Sequence, residues 1–534
     1  MFADNFDKII ERIRSNDPQL KRAQFTCSIY SGKRMVTLAD ALKHNNTLQS
    51  LICSNNDFGL WPRETKLLFD VLKTNTTIHT LNLGLNGFGH CFDPSETNPL
   101  YSLSELLEEN TTIQVLGLSN NHLDECPEMF LHLSRTLERN TTIRKLLLSD
   151  NNIGKNLESM TCLANIILKN SSIQILDLRD IRLGNACYVG MGCFADALEH
   201  NDTIRKLNLS GNNLGRYPNS GKLKVLMDAL KANNTIRKLN LYGTMIGNCP
   251  EGIIGLVGIL KENKTIEALN LGGANKLYED PEGLERLMYA LRSNTTIQKL
   301  DLSDGGLGSH PKCIEFLSEV LKVNKTIREL VLNGNNLWLC PDGMKLLSES
   351  LKVNETIQVL DLSSNRFGFC TDLSGIISLS DALKENKTIL TLNLYNNDLG
   401  RDPLKIKHLL DAFLKDNKTI RVLDISHNNI GGNSENIGFL SDFLKNADVI
   451  RELYIGYNFI GTRYDSTNVK LILNALEVNT SIEVLELGSL RGNVIDDHDA
   501  NLINAIVLRN AHNNLLKKSS LFELLLPTTI QQQI

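Results

Sequence analysis

One hydrophobic pattern repeats along most of the chain: an aliphatic residue, two variable residues, leucine, one variable residue, leucine, then asparagine and a further aliphatic residue followed by glycine. In the stretch N-T-T-I-R-K-L-L-L-S-D-N-N-I-G the fixed positions are Ile143, Leu146, Leu148, Asn151 and Ile153. Fifteen copies open at Leu48, Ile78, Ile113, Ile143, Ile173, Ile204, Ile236, Ile266, Ile297, Ile327, Ile357, Ile389, Ile420, Ile450 and Ile482, at spacings of 30 to 35 residues. A worn sixteenth copy precedes them, with Leu20, Ala23 and Phe25 at the same offsets. Self-similarity at this period predicts a solenoid, in which each unit buries its apolar face only against its neighbours.

Each copy has two halves. The first, as in Ile327, Leu330 and Leu332, alternates apolar and polar residues over too short a run for a helix, which predicts one strand of a parallel sheet. The second has helical spacing, as in Cys313, Leu317, Val320 and Leu321 between Pro311 and Asn324. Helices are wider than strands, so stacking the coils predicts a horseshoe with strands inside and helices outside. Residues 1–15, with Phe6, Ile9, Ile10 and Ile13 at helical spacing, are expected to cap the first coil. The array is expected to span residues 16–497. A second capping helix is expected at residues 498–516, using Leu502, Ala505, Ile506 and Leu508, and a tail at residues 517–534.

The pattern I-x-x-L-x-L-x-x-N-x-(I/L)-G, a helix, then L-K-x-N-x-T closely resembles the ribonuclease-inhibitor-like class of leucine-rich repeat proteins over roughly residues 16–510. That resemblance implies an α/β leucine-rich repeat solenoid, a right-handed β-α superhelix with its parallel sheet on the concave face and helices on the convex face. It also implies binding of a protein partner on the concave face. Fold alone does not name a function.

Two asparagines recur. Asn-x-Thr/Ser closes the helix in fourteen of the fifteen full copies, from Asn45 to Asn479. Its expected role is to leave the helix through a left-handed backbone conformation, which asparagine tolerates. Glycosylation would put a sugar on nearly every coil, so these sites are read as structural. The lysines just before them, Lys43, Lys73, Lys231, Lys261, Lys322, Lys352, Lys384, Lys415 and Lys445, face the negative ends of helix dipoles; a basic docking stripe is the alternative. The second asparagine, Asn151 in the stretch above, is expected to satisfy backbone groups of its own coil and the next. Ile181, Thr244, Ala274 and Gly305 replace it in four copies, so the copies from Ile173 to Ile297 are expected to be the least protected against hydrogen exchange.

A net charge of -5 on 534 residues, with 6% aromatics, suits a core of aliphatic ladders and gives no reason to expect nucleic acid. The acidic start of the chain is expected to be neither signal peptide nor membrane anchor, and no apolar run approaches the roughly 20 residues needed to span a bilayer. Eleven cysteines, an odd number, with no export signal, predict a reduced chain in its own or a host's cytosol, and a monomer is expected.

Catalytic, cofactor and metal sites are not expected. Gly215 to Leu223 looks like a phosphate-binding loop, but five residues separate Gly215 from Gly221 and Leu223 stands where a hydroxyl would bind magnesium. Cys91, Cys126, Cys249, Cys340 and Cys370 fall near helix starts and are read as small core residues. No tight C-x-x-C and no histidines at ligand spacing accompany them.

Partner contacts are therefore sought on the strand positions that point away from the core. There Tyr395, His427, Tyr454 and Tyr457 come from three successive copies and predict an aromatic hot spot. Lys145, Leu147, Ile175, Arg179, Lys206 and Lys238 form a second, basic and partly apolar, patch. The reading is a non-catalytic adaptor, inhibitor or scaffold. The bare array also resembles leucine-rich effectors that bacteria deliver into host cytosol, which would make the tail an export signal. It resembles the Ran-GTPase-activating family as well, without that family's acidic tail, and, through N-D-P-Q-L, the repeat domain of tropomodulin-like actin-binding proteins.

Overall fold

The structure, a computed structural model, describes residues 3–90, 98–217, 221–273, 275, 277, 279–461, 467–487 and 497–525. Among them no helix is long and apolar enough to cross a membrane. The chain forms two compact units, Met1–Gly283 and Leu284–Ile534.

In the first unit nine three-residue strands run parallel in sequence order: β1 (Arg22–Gln24), β2 (Ser50–Ile52), β3 (Thr80–Asn82), β4 (Val115–Gly117), β5 (Lys145–Leu147), β6 (Ile175–Asp177), β7 (Lys206–Asn208), β8 (Lys238–Asn240) and β9 (Ala268–Asn270). The worn first copy is therefore a true coil, its Ala23 in register with Leu51. The second unit repeats the arrangement with β10 (Lys299–Asp301), β11 (Glu329–Val331), β12 (Val359–Asp361), β13 (Thr391–Asn393), β14 (Val422–Asp424), β15 (Glu452–Tyr454) and β16 (Val484–Glu486). The central leucine of each of these strands pairs only with its counterparts, so Leu330, Leu360, Leu392, Leu423 and Leu453 stack as one buried ladder.

Between strand and helix most coils insert one turn of 3-10 helix, such as Ile153–Lys155 and Leu307–Ser309, which the hydrophobic pattern does not announce. Its central glycine explains the G of the repeat. A Cβ on Gly154 would lie 2.3 Å from the Arg182 carbonyl oxygen of the next coil, and one on Gly308 would lie 1.9 Å from that of Asn336. At these two coils the next one comes too close for a Cβ to fit without a shift.

The helix-closing asparagines correct the expectation placed on them. Asn110, Asn140, Asn170, Asn324 and Asn354 are extended, not left-handed; Asn324, for example, has φ -67° and ψ 129°. The side chain supplies the reason. Asn324 Nδ2 donates to the carbonyls of Leu291 (2.9 Å) and Asn294 (3.1 Å) in the preceding coil, while its Oδ1 accepts from the backbone N–H of Thr326 and Ile327 (both 2.9 Å). Buried backbone groups of two coils are thereby paired by one amide. Several of the lysines beside these asparagines have acidic neighbours: Lys73 lies among Asp70, Glu105 and Glu109, and Lys352 between Glu349 and Glu385. Acidic neighbours thus offset part of that row.

The second asparagine ladder also reaches backward rather than forward. Asn151 Nδ2 donates to Leu118 O of the preceding coil and to Leu148 O of its own, and its Oδ1 accepts from Asn121 N–H at 2.8 Å. Of the four copies expected to lack this amide, one has it shifted by a residue: Asn275 donates to the carbonyls of Leu241, Leu271 and Gly272. Ala274 itself lies outside the described residues. Thr244 partly substitutes, its hydroxyl lying 2.9 Å from Leu241 O. Ile181 and Gly305 remain without it.

Both ends are covered. Helix Ala3–Arg14 buries Phe6, Ile10 and Ile13, with the Phe6 and Phe25 rings 5.4 Å apart. Helix Asp497–Leu525 runs past residue 516 and presents Ile503, Ile506 and Asn510 inward. Leu502, Ala505 and Leu508, expected to face the coil, point out to solvent. Asn510 donates to the carbonyls of Asn479 and Ile482, reproducing the amide bridge of the repeats from a capping helix.

Candidate functional site

On each strand the residues flanking the buried leucine project outward, which lines equivalent positions of successive coils into columns. The middle column, rich in Asn and Asp, is largely structural. Asn208, Asn240, Asp361, Asn393 and Asp424 each accept a hydrogen bond from the backbone N–H two residues on, at 2.9 to 3.1 Å, closing the turn that ends the strand. Departures from that consensus are therefore informative.

In the second unit three predicted residues meet directly. The rings of Tyr395 and His427 have centroids 4.8 Å apart, and those of His427 and Tyr457 stack at 4.3 Å with 22° between their planes. All three are half-buried. Tyr454 sits on β15 itself, in register between Asp424 and Glu486. Its hydroxyl donates to Glu452 at 3.2 Å, and burial, with Glu452 and Glu486 adding to it, raises the phenol above its ordinary value. Aromatic rings here stand beside Asp424, Glu452 and Glu486.

His427 and Tyr457 also carry a backbone signal that composition alone does not show. Both have left-handed backbones, at φ 56°. The same position, seven residues after the opening aliphatic residue, is Asn, Asp or Gly in most other copies, as in Asn55, Asp150, Gly211 and Asn396, and Cys27, Leu85 or Ser364 in three. Asn, Asp and Gly accept this conformation readily, whereas for Tyr457, as for Leu85, it costs roughly 1–2 kcal/mol. Phe459, at φ 57° and exposed, extends the departure within the same coil.

In the first unit Lys145, Ile175, Lys206 and Lys238 fall in one register-matched column across β5 to β8. Lys206 and Lys238 are exposed, Lys145 and Ile175 half-buried. Leu147 lies in the neighbouring column opposite Asp177. Arg179 stands apart from the lysines, 3.0 Å from Asp150 and 3.7 Å from Asp180. On the rim beyond these strands a polar cleft of about 550 Å³ is lined by Asp150, Asp180, Arg182, Asn185 and Arg216, among others. The phosphate-loop lookalike is committed elsewhere: Lys222 Nζ donates to the carbonyls of Gly184 (3.1 Å) and Ala186 (2.8 Å), and residues 218–220 lie outside the described set.

Cys53, Cys162, Cys249 and Cys313 are free thiols buried in the core. Cys340 and Cys187 each accept the backbone N–H three residues on, at 3.3 Å, at the start of a helix. Burial pushes the Cys313 thiol up to about 12. Cys91 lies outside the described residues.

Comparison with known proteins gives one family: the model described as "Leucine Rich repeat" matches residues 200–215 and 416–434. No curated protein matches the chain. Among solved structures, the leucine-rich repeat-containing protein LegL7 from Legionella pneumophila is similar at 21% identity and a TM-score of 0.43, over 60% of this chain and 94% of that one. A chain of the Rad7 and Elc1 complex in yeast is similar at 14% identity and a TM-score of 0.41, over 80% of this chain and 88% of that one.

Proposed function

We propose that this chain, a leucine-rich repeat protein by its repeated coils and matched family model, is a non-catalytic protein-binding module that grips its partner on the strand face of the second unit. The observation that carries the reading is the Tyr395–His427–Tyr457 stack. Half-buried rings lose little side-chain freedom on binding, which is why aromatic residues dominate interface hot spots. Tyr457 holds a left-handed backbone that tyrosine disfavours, which adds to the case that its ring is there for contact.

The setting also selects the partner's chemistry. Asp424, Glu452 and Glu486 surround Tyr454 on the same face, so a lysine or arginine of the partner gains both an aromatic face and nearby carboxylates. The site therefore fits a basic protein segment. The column of Lys145, Ile175, Lys206 and Lys238 in the first unit has the opposite character and serves as a second contact area for an acidic or apolar stretch.

The test is a titration of the captured partner against the native chain and against Tyr395→Ala with Tyr457→Asn. Removing the outer rings is expected to cost about 2 kcal/mol or more, roughly 30-fold in affinity. Asn restores the residue type used at this position in other coils, so the variant is expected to keep its fold by circular dichroism. Unchanged affinity in a folded variant overturns the assignment.

A further inference from the structure

His90, His122 and Glu125 converge in the first unit although no sequence motif joins them. His90 ends the 3-10 turn Phe88–His90, and Glu125 ends the equivalent turn Leu123–Glu125 of the next coil. His122 precedes that second turn with a left-handed backbone at φ 57°. The two imidazole rings have centroids 4.1 Å apart. His90 Nδ1 lies 3.0 Å from one oxygen of Glu125, and His122 Nδ1 lies 3.4 Å from the other.

We propose that these three side chains form a binding site for a borderline divalent cation of the zinc type. The donor set is two imidazole nitrogens and one carboxylate, which suits Zn²⁺ and Ni²⁺ and disfavours Mg²⁺ and Ca²⁺. One ligand atom from each residue lies within 4.8 Å of the others. In a tetrahedral zinc site with bonds of about 2.0–2.1 Å, ligand atoms stand roughly 3.3 Å apart, so the Nδ1–carboxylate distances already match.

The backbone holds the set in place. His90 N–H bonds Gly87 O at 3.0 Å, Glu125 N–H bonds His122 O at 3.0 Å, and Gly89 N–H ties the first turn to Asn121 O of the next coil at 2.8 Å. Little ordering remains for the metal to impose. Each residue is a third to a half exposed, so an ion can enter without local unfolding. Three protein ligands leave a fourth position for water or for a side chain of a bound partner. A pair of His–Glu ion pairs is the alternative, and it predicts no affinity for metal.

The experiment is a titration of the intact chain with Zn²⁺ in competition with a chromophoric chelator, repeated on His90→Ala, His122→Ala, Glu125→Gln and, as reference, His44→Ala. Loss of groups that merely hydrogen-bond to ligands weakens metal sites by about 10–100-fold, so loss of either direct imidazole is expected to cost at least about 100-fold. Glu125→Gln is expected to weaken binding by roughly tenfold or more, and His44→Ala to match the native chain. Bound cysteines elsewhere cancel, because the readout is the one equivalent that the cluster variants lose. A second readout is the melting temperature, which Zn²⁺ raises by mass action in the native chain and not through this site in the variants. The same zinc stoichiometry and affinity in the native chain and in either histidine variant, or the absence of a tight equivalent in the native chain, overturns the proposal.

Discussion

Asn365→Ala measures what the buried amide ladder contributes to the stack of coils. In the native chain Asn365 is wholly buried. Its Oδ1 accepts from Asn335 N–H at 3.0 Å and Leu337 N–H at 3.2 Å, and its Nδ2 donates to Leu332 O at 2.9 Å and Leu362 O at 3.0 Å. Alanine strands these groups unequally. Leu362 O keeps a second donor, Asn397 Nδ2 at 3.0 Å, but the two N–H groups and Leu332 O have none in reserve. At about 1 kcal/mol for each unpaired group as a lower bound, the loss is about 3 kcal/mol. Global unfolding is a poor assay for a repeat array, whose cooperativity is local. Hydrogen exchange resolves the effect: the amides of Asn335 and Leu337 are expected to lose about 100-fold in protection, while those of β16 hold. Asn365→Leu fills the volume without restoring the bonds and is expected to behave like alanine. Native protection at Asn335 in the alanine variant, or recovery with leucine, would refute the hydrogen-bond account in favour of packing.

Gly308→Ala is expected to destabilise by about 1–3 kcal/mol, because its Cβ would meet Asn336 O at 1.9 Å. The sign alone is diagnostic, since relieving a glycine of its unfolded-state freedom otherwise stabilises by about 0.4–1 kcal/mol; thermal melts decide it. Lys405 is buried with its ammonium on the carbonyls of Gly368 and Cys370, and burial lowers its pKa below the ordinary 10.5. Between the folded and unfolded values the unfolded chain binds more protons, so stability gains a contribution that rises as pH climbs toward 10.5. Urea titrations of the native chain and Lys405→Met over that range are expected to converge or cross in the native chain's favour at high pH; a constant difference would count against the buried charge.

The strands were legible because their burial alternates: Leu330 and Leu332 are inside, and Val331 between them and Glu329 before them are half-buried on the other face. The caps were legible as helices, yet in the second only Ile506 of the expected core residues is inside, while Leu502, Ala505 and Leu508 face out and Ile503 and Asn510 take their place. The roles of asparagine and glycine were hidden because both depend on the neighbouring coil. Asn324 is chosen for what its amide reaches across to, and Gly154 for a carbonyl 28 residues further on, Arg182. The aromatic grouping near the C-terminal end was visible from repeat offsets, while its left-handed backbones were not. His90 and His122 escaped notice because they stand twelve and nine residues after Ile78 and Ile113 and share no column. Only the turn geometry brings them together.

Hydroxyl-radical footprinting of the chain with and without its captured partner tests the central claim most directly, because it reads ring exposure itself. Tyr395, His427 and Tyr457 are expected to lose most of their reactivity on binding, while Tyr289, exposed on the helix side of the second unit, keeps its own. Protection of Tyr289 with the three stacked rings unchanged would place the partner on the helices and contradict the account.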